Sequence, residues 1–152
     1  MRTASTLRSL AREAIVSEAR RWIGTPYRHQ ASLIGVGADC LGLVRGIWRN
    51  LYGYDAEKPP AYSADWAEAS RQETLIAAAD RHLIRVPDET GLPGDVLLFR
   101  FRPHLPAKHV AILVSPTHVV HAIEGAATTE TALNNWWRRR LAATFQFPNL
   151  ID

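Results

Sequence analysis

Cysteine is almost missing from this chain: Cys40 stands alone among 152 residues. An internal disulfide is thereby excluded, and the fold must rest on packing. Lysine is scarce as well. Of the 18 basic residues only Lys58 and Lys108 are lysine, and the others are arginine. Long apolar runs are lacking. The stretch 110–114 is typical, far short of the ~20 residues of a membrane-spanning helix, so no membrane insertion is expected. Internal repeats, low-complexity tracts and linker-like segments are also missing. Together with the composition, this excludes collagen-like, coiled-coil and disordered chains. The first eight residues are not followed by an apolar segment. The expectation is therefore a protein made in the cytoplasm without a secretory signal or lipid anchor.

What is present has the balance of a globular domain with a core: 47% hydrophobic and 22% charged residues. The length predicts one domain over residues 1–152. The net charge of +3 is ordinary for a surface. No groove-entering motif accompanies the arginines, so direct nucleic-acid binding is not expected.

Periodicity predicts a first helix over residues 6–23. Leu7, Leu10, Ala14, Ile15, Ala19, Trp22 and Ile23 form its apolar side, Glu18 lies on the polar side, and Ser5 or Thr6 is the cap. Residues 24–38 read as an irregular loop. A second helix follows with Asp39 as N-cap, apolar positions Leu41, Val44, Ile47, Trp48 and Leu51, and Gly53 as the terminator. A third is predicted over 65–83, burying Trp66, Leu75, Ile76, Ala79 and Leu83. Thereafter the pattern turns to strands at 83–86, 96–101, 109–114, 119–123 and 141–147, with a weaker candidate at 128–133. Helices first and antiparallel strands afterwards define an α+β fold.

Cys40 falls in the first turn of the second helix. Helix N-terminal amides and the helix dipole stabilise a thiolate, the nucleophilic form, so this position predicts a lowered thiol pKa. Position alone is equally compatible with a small buried cysteine. Gly42 removes a side chain near the sulfur and is expected to admit substrate or a strand. A cysteine nucleophile needs a base, and the base needs an orienting group. His109 and His121 flank a turn at Ser115, Pro116 and Thr117, and a hairpin centred on 115 sets them side by side on one face. His109 is then the base, and His121 holds its tautomer. A zinc site from His104, His109, His118 and His121 is disfavoured, because neither an HExxH helix nor a cysteine pair is present.

These residues occur in an order that resembles one family. The runs Trp22-Ile23-Gly24-Thr25-Pro26-Tyr27, Gly37-Ala38-Asp39-Cys40-Leu41-Gly42-Leu43-Val44 and Pro93-Gly94-Asp95-Val96-Leu97-Leu98-Phe99, then 109–114 and His121, are similar to the NlpC/p60 peptidases of bacterial cell walls. The resemblance implies a papain-like α+β fold, with the cysteine helix packed on an antiparallel sheet that carries both histidines. It implies Cys40 as nucleophile, His109 as base and His121 as the third polar residue. Tyr27 matches a tyrosine directed at the reaction centre, where it steadies an oxyanion together with the Cys40 N–H. Asp39 matches the acidic residue before the cysteine, as N-cap or substrate contact. No metal or organic cofactor is implied.

The implied reaction is hydrolysis of an amide bond in the peptidoglycan stem peptide, between D-γ-glutamyl and meso-diaminopimelate. Many relatives carry a serine where this chain has Leu41. Leu41, the segment 104–109 and the run Trp136-Trp137-Arg138-Arg139-Arg140 resemble the subgroup encoded with phage tails and gene transfer agents. That implies a virion tail-tip location, tail-tip or baseplate hub proteins as partners, and action on periplasmic peptidoglycan. A lysis enzyme released through a membrane pore also fits a missing signal. The Trp136 to Arg140 run reads as a short helix whose tryptophans complete the core while its arginines face water, or as a site that docks on a tail protein or holds an anionic glycan peptide. The alternatives are a structural tail-tip component without peptidase activity, and an amidase or acyltransferase on the same scaffold.

Overall fold

A computed structural model describes residues 7–57, 72–87 and 91–152. Helix α1, Arg12–Arg21, is shorter at its start than the apolar pattern predicts. Leu10 is buried, yet it is not helical. Its N–H donates to Asn149 O, and its carbonyl accepts from Ile151 N–H. The far end of the chain thus takes the hydrogen bonds that a longer helix would need. The Asp152 carboxylate also accepts from Arg12 N–H at 2.9 Å, a cap supplied from across the fold. The expected local caps, Ser5 and Thr6, lie outside the described residues.

The buried stripe of α1 is Ile15, Glu18 and Ala19, continued by Trp22. Ala14 and Ile23, expected inside, are exposed. Glu18, expected outside, accepts from Trp22 Nε1 at 2.9 Å, Asn50 Nδ2 at 2.9 Å and Arg21 Nη1 at 2.6 Å. Three donors offset the desolvation of its carboxylate.

Residues 24–38 are more ordered than the absence of a period implied. Two-residue strands β1 (Ser32–Leu33) and β2 (Gly37–Ala38) pair antiparallel, and Tyr27 bridges Ala38. Helix α2, Cys40–Tyr52, begins and ends as predicted. Asp39 accepts from Gly42 N–H, and Gly53 closes the helix at φ 90°, where a side chain would be strained. Its buried face is Leu43, Gly46, Ile47, Trp48 and Tyr52, while Leu41, Val44 and Leu51 are half-buried at its margin.

Helix α3, Thr74–His82, is the described part of the third predicted helix. Residues 72 and 73 before it are not helical, and Trp66 lies outside the described residues. Leu75, Ile76 and Ala79 are buried as expected, whereas Leu83 is half-buried at the C-cap.

Six strands follow: β3 (Ile84–Val86), β4 (Val96–Phe99), β5 (His109–Ser115), β6 (His118–His121), β7 (Thr129–Ala132) and β8 (Leu141–Gln146). They form one antiparallel sheet in the order β3-β8-β4-β5-β6-β7. Side chains alternate along a strand. Val96, Leu98, Val110, Ile112, Val114 and Phe145 join the core shared with the helices. Leu97, Phe99, Ala111, Leu113 and Val119 form a second cluster, against Leu133, Trp137 and Leu141. Burial on both faces explains why β4 and β5 read as continuous apolar runs.

The β5–β6 hairpin departs from the predicted register. Ile112 pairs with Val120 and Leu113 with Val119, and a bulge shifts the ladder before Ser115 pairs with His118. His121 is therefore displaced by two residues from a position opposite His109. An even displacement preserves the face, so the two rings meet diagonally.

A short helix α4, Asn135–Arg138, is capped by the Asn134 side chain, which accepts from Trp137 N–H at 3.1 Å. The expected short helix is present, but Trp136 does not complete the core and is 43% exposed. Trp137 is half-buried beside the two histidines. Among the described residues, no helix is long and apolar enough to cross a membrane.

Candidate active site

Cys40 starts α2 and His109 starts β5, and both line one cleft of about 200 Å³. Tyr27, Asp39 and Leu41 border it on the α2 side, and Phe101, Lys108, Glu124 and Trp137 on the sheet side. The Cys40 thiol lies 3.8 Å from the Lys108 carbonyl, which joins the helix end to the strand that carries His109.

His109 is buried at 6% exposure and His121 is fully buried. His109 Nε2 and His121 Nδ1 are 3.0 Å apart. The far nitrogen of His121, Nε2, is 2.9 Å from Thr131 Oγ1 on β7. This chain has a competent proton arrangement. If His121 Nε2–H donates to Thr131, then His121 Nδ1 accepts from His109 Nε2–H. The His109 Nδ1 lone pair is then left as a free acceptor.

The electrostatics overturn one expectation. Burial and the neighbouring Asp39 charge push the Cys40 thiol up to about 12, against the lowering effect of the amides of Val110, Leu41 and Cys40. The helix N-terminus does not win, because partial burial and the anion beside the sulfur outweigh it. Burial, with smaller contributions from His121 and Lys108, brings His109 down to about 3. Burial likewise takes His121 down to about 4. The resting site therefore holds a neutral thiol and two neutral imidazoles. Tyr27 is pushed up to about 12 by burial and by the charges of Cys40, Asp39 and Glu124, so its phenol keeps its proton and can donate.

Asp39 has a structural role. One oxygen accepts from Gly42 N–H at 2.7 Å, and the other accepts from Gln30 N–H at 2.8 Å with His29 Nδ1 4.0 Å away. It caps α2 and pins the loop that carries Tyr27. Of the two expectations at Gly42, close approach of another chain segment rather than of substrate is what the structure shows. A Cβ there would sit 1.8 Å from the Ala31 carbonyl, so the loop itself fills that space.

Thr131 and Phe101 carry no local signal in the sequence, and Trp137, expected in a short helix, gave no sign that it would stand beside the histidines. Among the described residues, no group of three histidine, cysteine or acidic side chains is placed to hold a metal.

The family model for the NlpC/P60 family matches residues 24–146. A curated relative, the gamma-DL-glutamyl hydrolase of Bacillus subtilis, is 24% identical over 137 residues. That match covers 90% of this chain but only 29% of the relative, so the chain spans less than a third of that protein's length. The crystal structure of the NlpC/p60 domain of the peptidoglycan hydrolase SagA superposes with a TM-score of 0.67 at 21% identity, covering 91% of this chain and all of that one. RipD from Mycobacterium tuberculosis, described as a non-catalytic NlpC/p60 domain protein adapted to peptidoglycan binding, superposes with a TM-score of 0.57 at 12% identity, covering 91% of this chain and 98% of its own. These structures share the α+β architecture of helices on an antiparallel sheet. On the extent of the family match, this chain belongs to the NlpC/P60 family.

Proposed function

We propose that the protein is a cysteine peptidase of peptidoglycan, working as one domain through Cys40, His109 and His121. The observation that carries this reading is the polar chain from His109 through His121 to Thr131, ending in the cleft that Cys40 lines. With Thr131 accepting from His121, one nitrogen of the buried His109 ring stays free as an acceptor, which a general base needs and a purely binding domain does not.

In this reaction His109 Nδ1 takes the thiol proton as Sγ attacks the scissile carbonyl carbon. The oxyanion is held by the Cys40 N–H and the Tyr27 hydroxyl. His109 returns the proton to the departing amine, and a thioester remains. Water then attacks the thioester with His109 again as base, releasing the acid and restoring the thiol. A neutral resting pair makes proton transfer concerted with attack.

The substrate bond we propose is that between D-γ-glutamyl and meso-diaminopimelate. The name of the curated relative, a glutamyl hydrolase, and the family resemblance support it. The finer biological setting is a phage or gene transfer agent tail tip docked on hub proteins, acting on periplasmic peptidoglycan. It rests on the resemblance of Leu41, the segment 104–109 and the run from Trp136 to Arg140, and peptide mapping of purified particles tests it.

Digestion of defined muropeptides, read by mass spectrometry, tests the reaction. The wild type yields a new fragment pair that Cys40→Ala does not. Equal cleavage by both proteins, or binding of muropeptides without cleavage by either, overturns the reading.

A further inference from the structure

The proposed base sits among aromatic rings that no part of the reaction uses. Trp137 lies 5.3 Å from the His109 ring, tilted by 32°, and 5.2 Å from the His121 ring, edge-on at 70°. Phe101 stacks on His109 at 6.0 Å, with 26° between the planes. Phe99 supports both, 6.2 Å from His109 and 5.0 Å from Trp137. Outside this layer Trp136 stands edge-on to Trp137 at 4.8 Å, and the Arg140 guanidinium lies 3.8 Å over the Trp136 ring.

The helix that presents Trp137 is tied to both sides of the site. Arg138 donates to the carbonyls of Leu133 and Pro116, and Leu133 N–H donates to Thr117 O, at the turn between the two histidine strands. Arg140 O accepts from Arg100 N–H, one residue before Phe101. Glu73 braces the segment before the base from a third side, accepting from Arg100 and from Ala107 N–H.

We infer that Trp137 is a positioning residue: with Phe101 it clamps His109 against His121 and keeps water from their hydrogen bond. The inference rests on the reading of His109 as the base. Other charged or titratable groups bear on this ring. Lys108 is its chain neighbour, and His121 faces it from β6. Cys40, Tyr27, Asp39, His29 and Glu124 line the same cleft. None of them is altered when Trp137 is replaced, so a change in the ring's titration reports the aromatic wall.

The test is an NMR titration of the imidazoles in the resting protein, without substrate, for wild type, Trp137→Ala and Trp137→Phe. In the wild type His109 stays neutral at pH 5. In Trp137→Ala its midpoint rises by about two pH units, and in Trp137→Phe by less, as water reaches the ring. The acid limb of kcat/KM for muropeptide cleavage moves with it. An unmoved midpoint in the folded variants overturns the inference. Should Trp137→Ala fail to fold, an unmoved midpoint in Trp137→Phe does so alone. A wild type without Cys40-dependent cleavage would defeat the peptidase reading, while the titration would still decide the role of Trp137.

Discussion

At the scale of single residues, the weak point of the site is the tautomer of His121. Thr131 Oγ1 stands 2.9 Å from its Nε2. Thr131→Val keeps the shape and removes the hydroxyl, so in the proposed arrangement the imidazole loses the acceptor for its Nε2–H. We expect kcat to fall by about ten- to a hundred-fold while KM changes little, and Thr131→Ser to restore most of it. Steady-state kinetics on a defined muropeptide reads both. The thiol makes a second prediction. With Cys40 pushed up to about 12, iodoacetamide alkylates the free protein slowly at pH 7, and the rate keeps climbing above pH 9. A rate that levels off near pH 7 would mean a preformed thiolate. Cys40, His109 and His121 stood out in the sequence as a candidate set because a nucleophile, a base and an orienter are demanded together, and the fold brings them to one place. Thr131 did not stand out, since nothing local distinguishes it from any strand threonine.

At the scale of elements, helix α2, which carries Cys40, is locked to the loop before it. A Cβ on Gly42 would lie 1.8 Å from Ala31 O, and one on Gly46 would lie 2.2 Å from the Trp22 ring. Gly42→Ala must push the loop of Tyr27 away. We expect it to lower stability by about 1–3 kcal/mol, read by urea denaturation, and to impair cleavage more than folding. Across the fold Arg12 Nη1 meets the buried Asp95 at 2.7 Å, joining α1 to the turn before β4. Arg12→Met leaves that carboxylate without its cation, at a cost of about 3 kcal/mol in a thermal or chemical melt. The element types were readable from periodicity and caps. Their limits were not: the start of α1 is decided by Asn149, Ile151 and Asp152, which lie more than 130 residues away.

At the scale of the whole molecule, burying two neutral histidines makes stability depend on pH. Their folded pKa values, about 3 for His109 and about 4 for His121, lie below the ordinary 6.5. Between those limits the unfolded chain binds more protons than the native one. Stability is therefore intact above pH 6.5 and declines as the pH falls, by up to about 1.4 kcal/mol per pH unit for each histidine. Urea melts at pH 7.5, 6 and 5 should show the midpoint falling. In His121→Phe, which titrates one group fewer, the slope is shallower. A midpoint flat across that range would mean that the histidines are charged in the native state.

The sequence by itself determined which residues are candidates for chemistry and most of the elements that carry them. Asp39 as cap, Gly53 as stop and the apolar runs of β4 and β5 are local or periodic facts, and they survive intact in the fold. Tertiary structure decided what those residues meet. It set His121 diagonal to His109 through a bulge and a shift of two residues, and it supplied Thr131 from β7 and Trp137 from α4. It also reversed the direction of the Cys40 pKa. The physical reason is the same in each case. Hydrogen-bond partners, ring contacts and desolvation depend on which segments lie adjacent in space, and no local pattern in the chain encodes that adjacency.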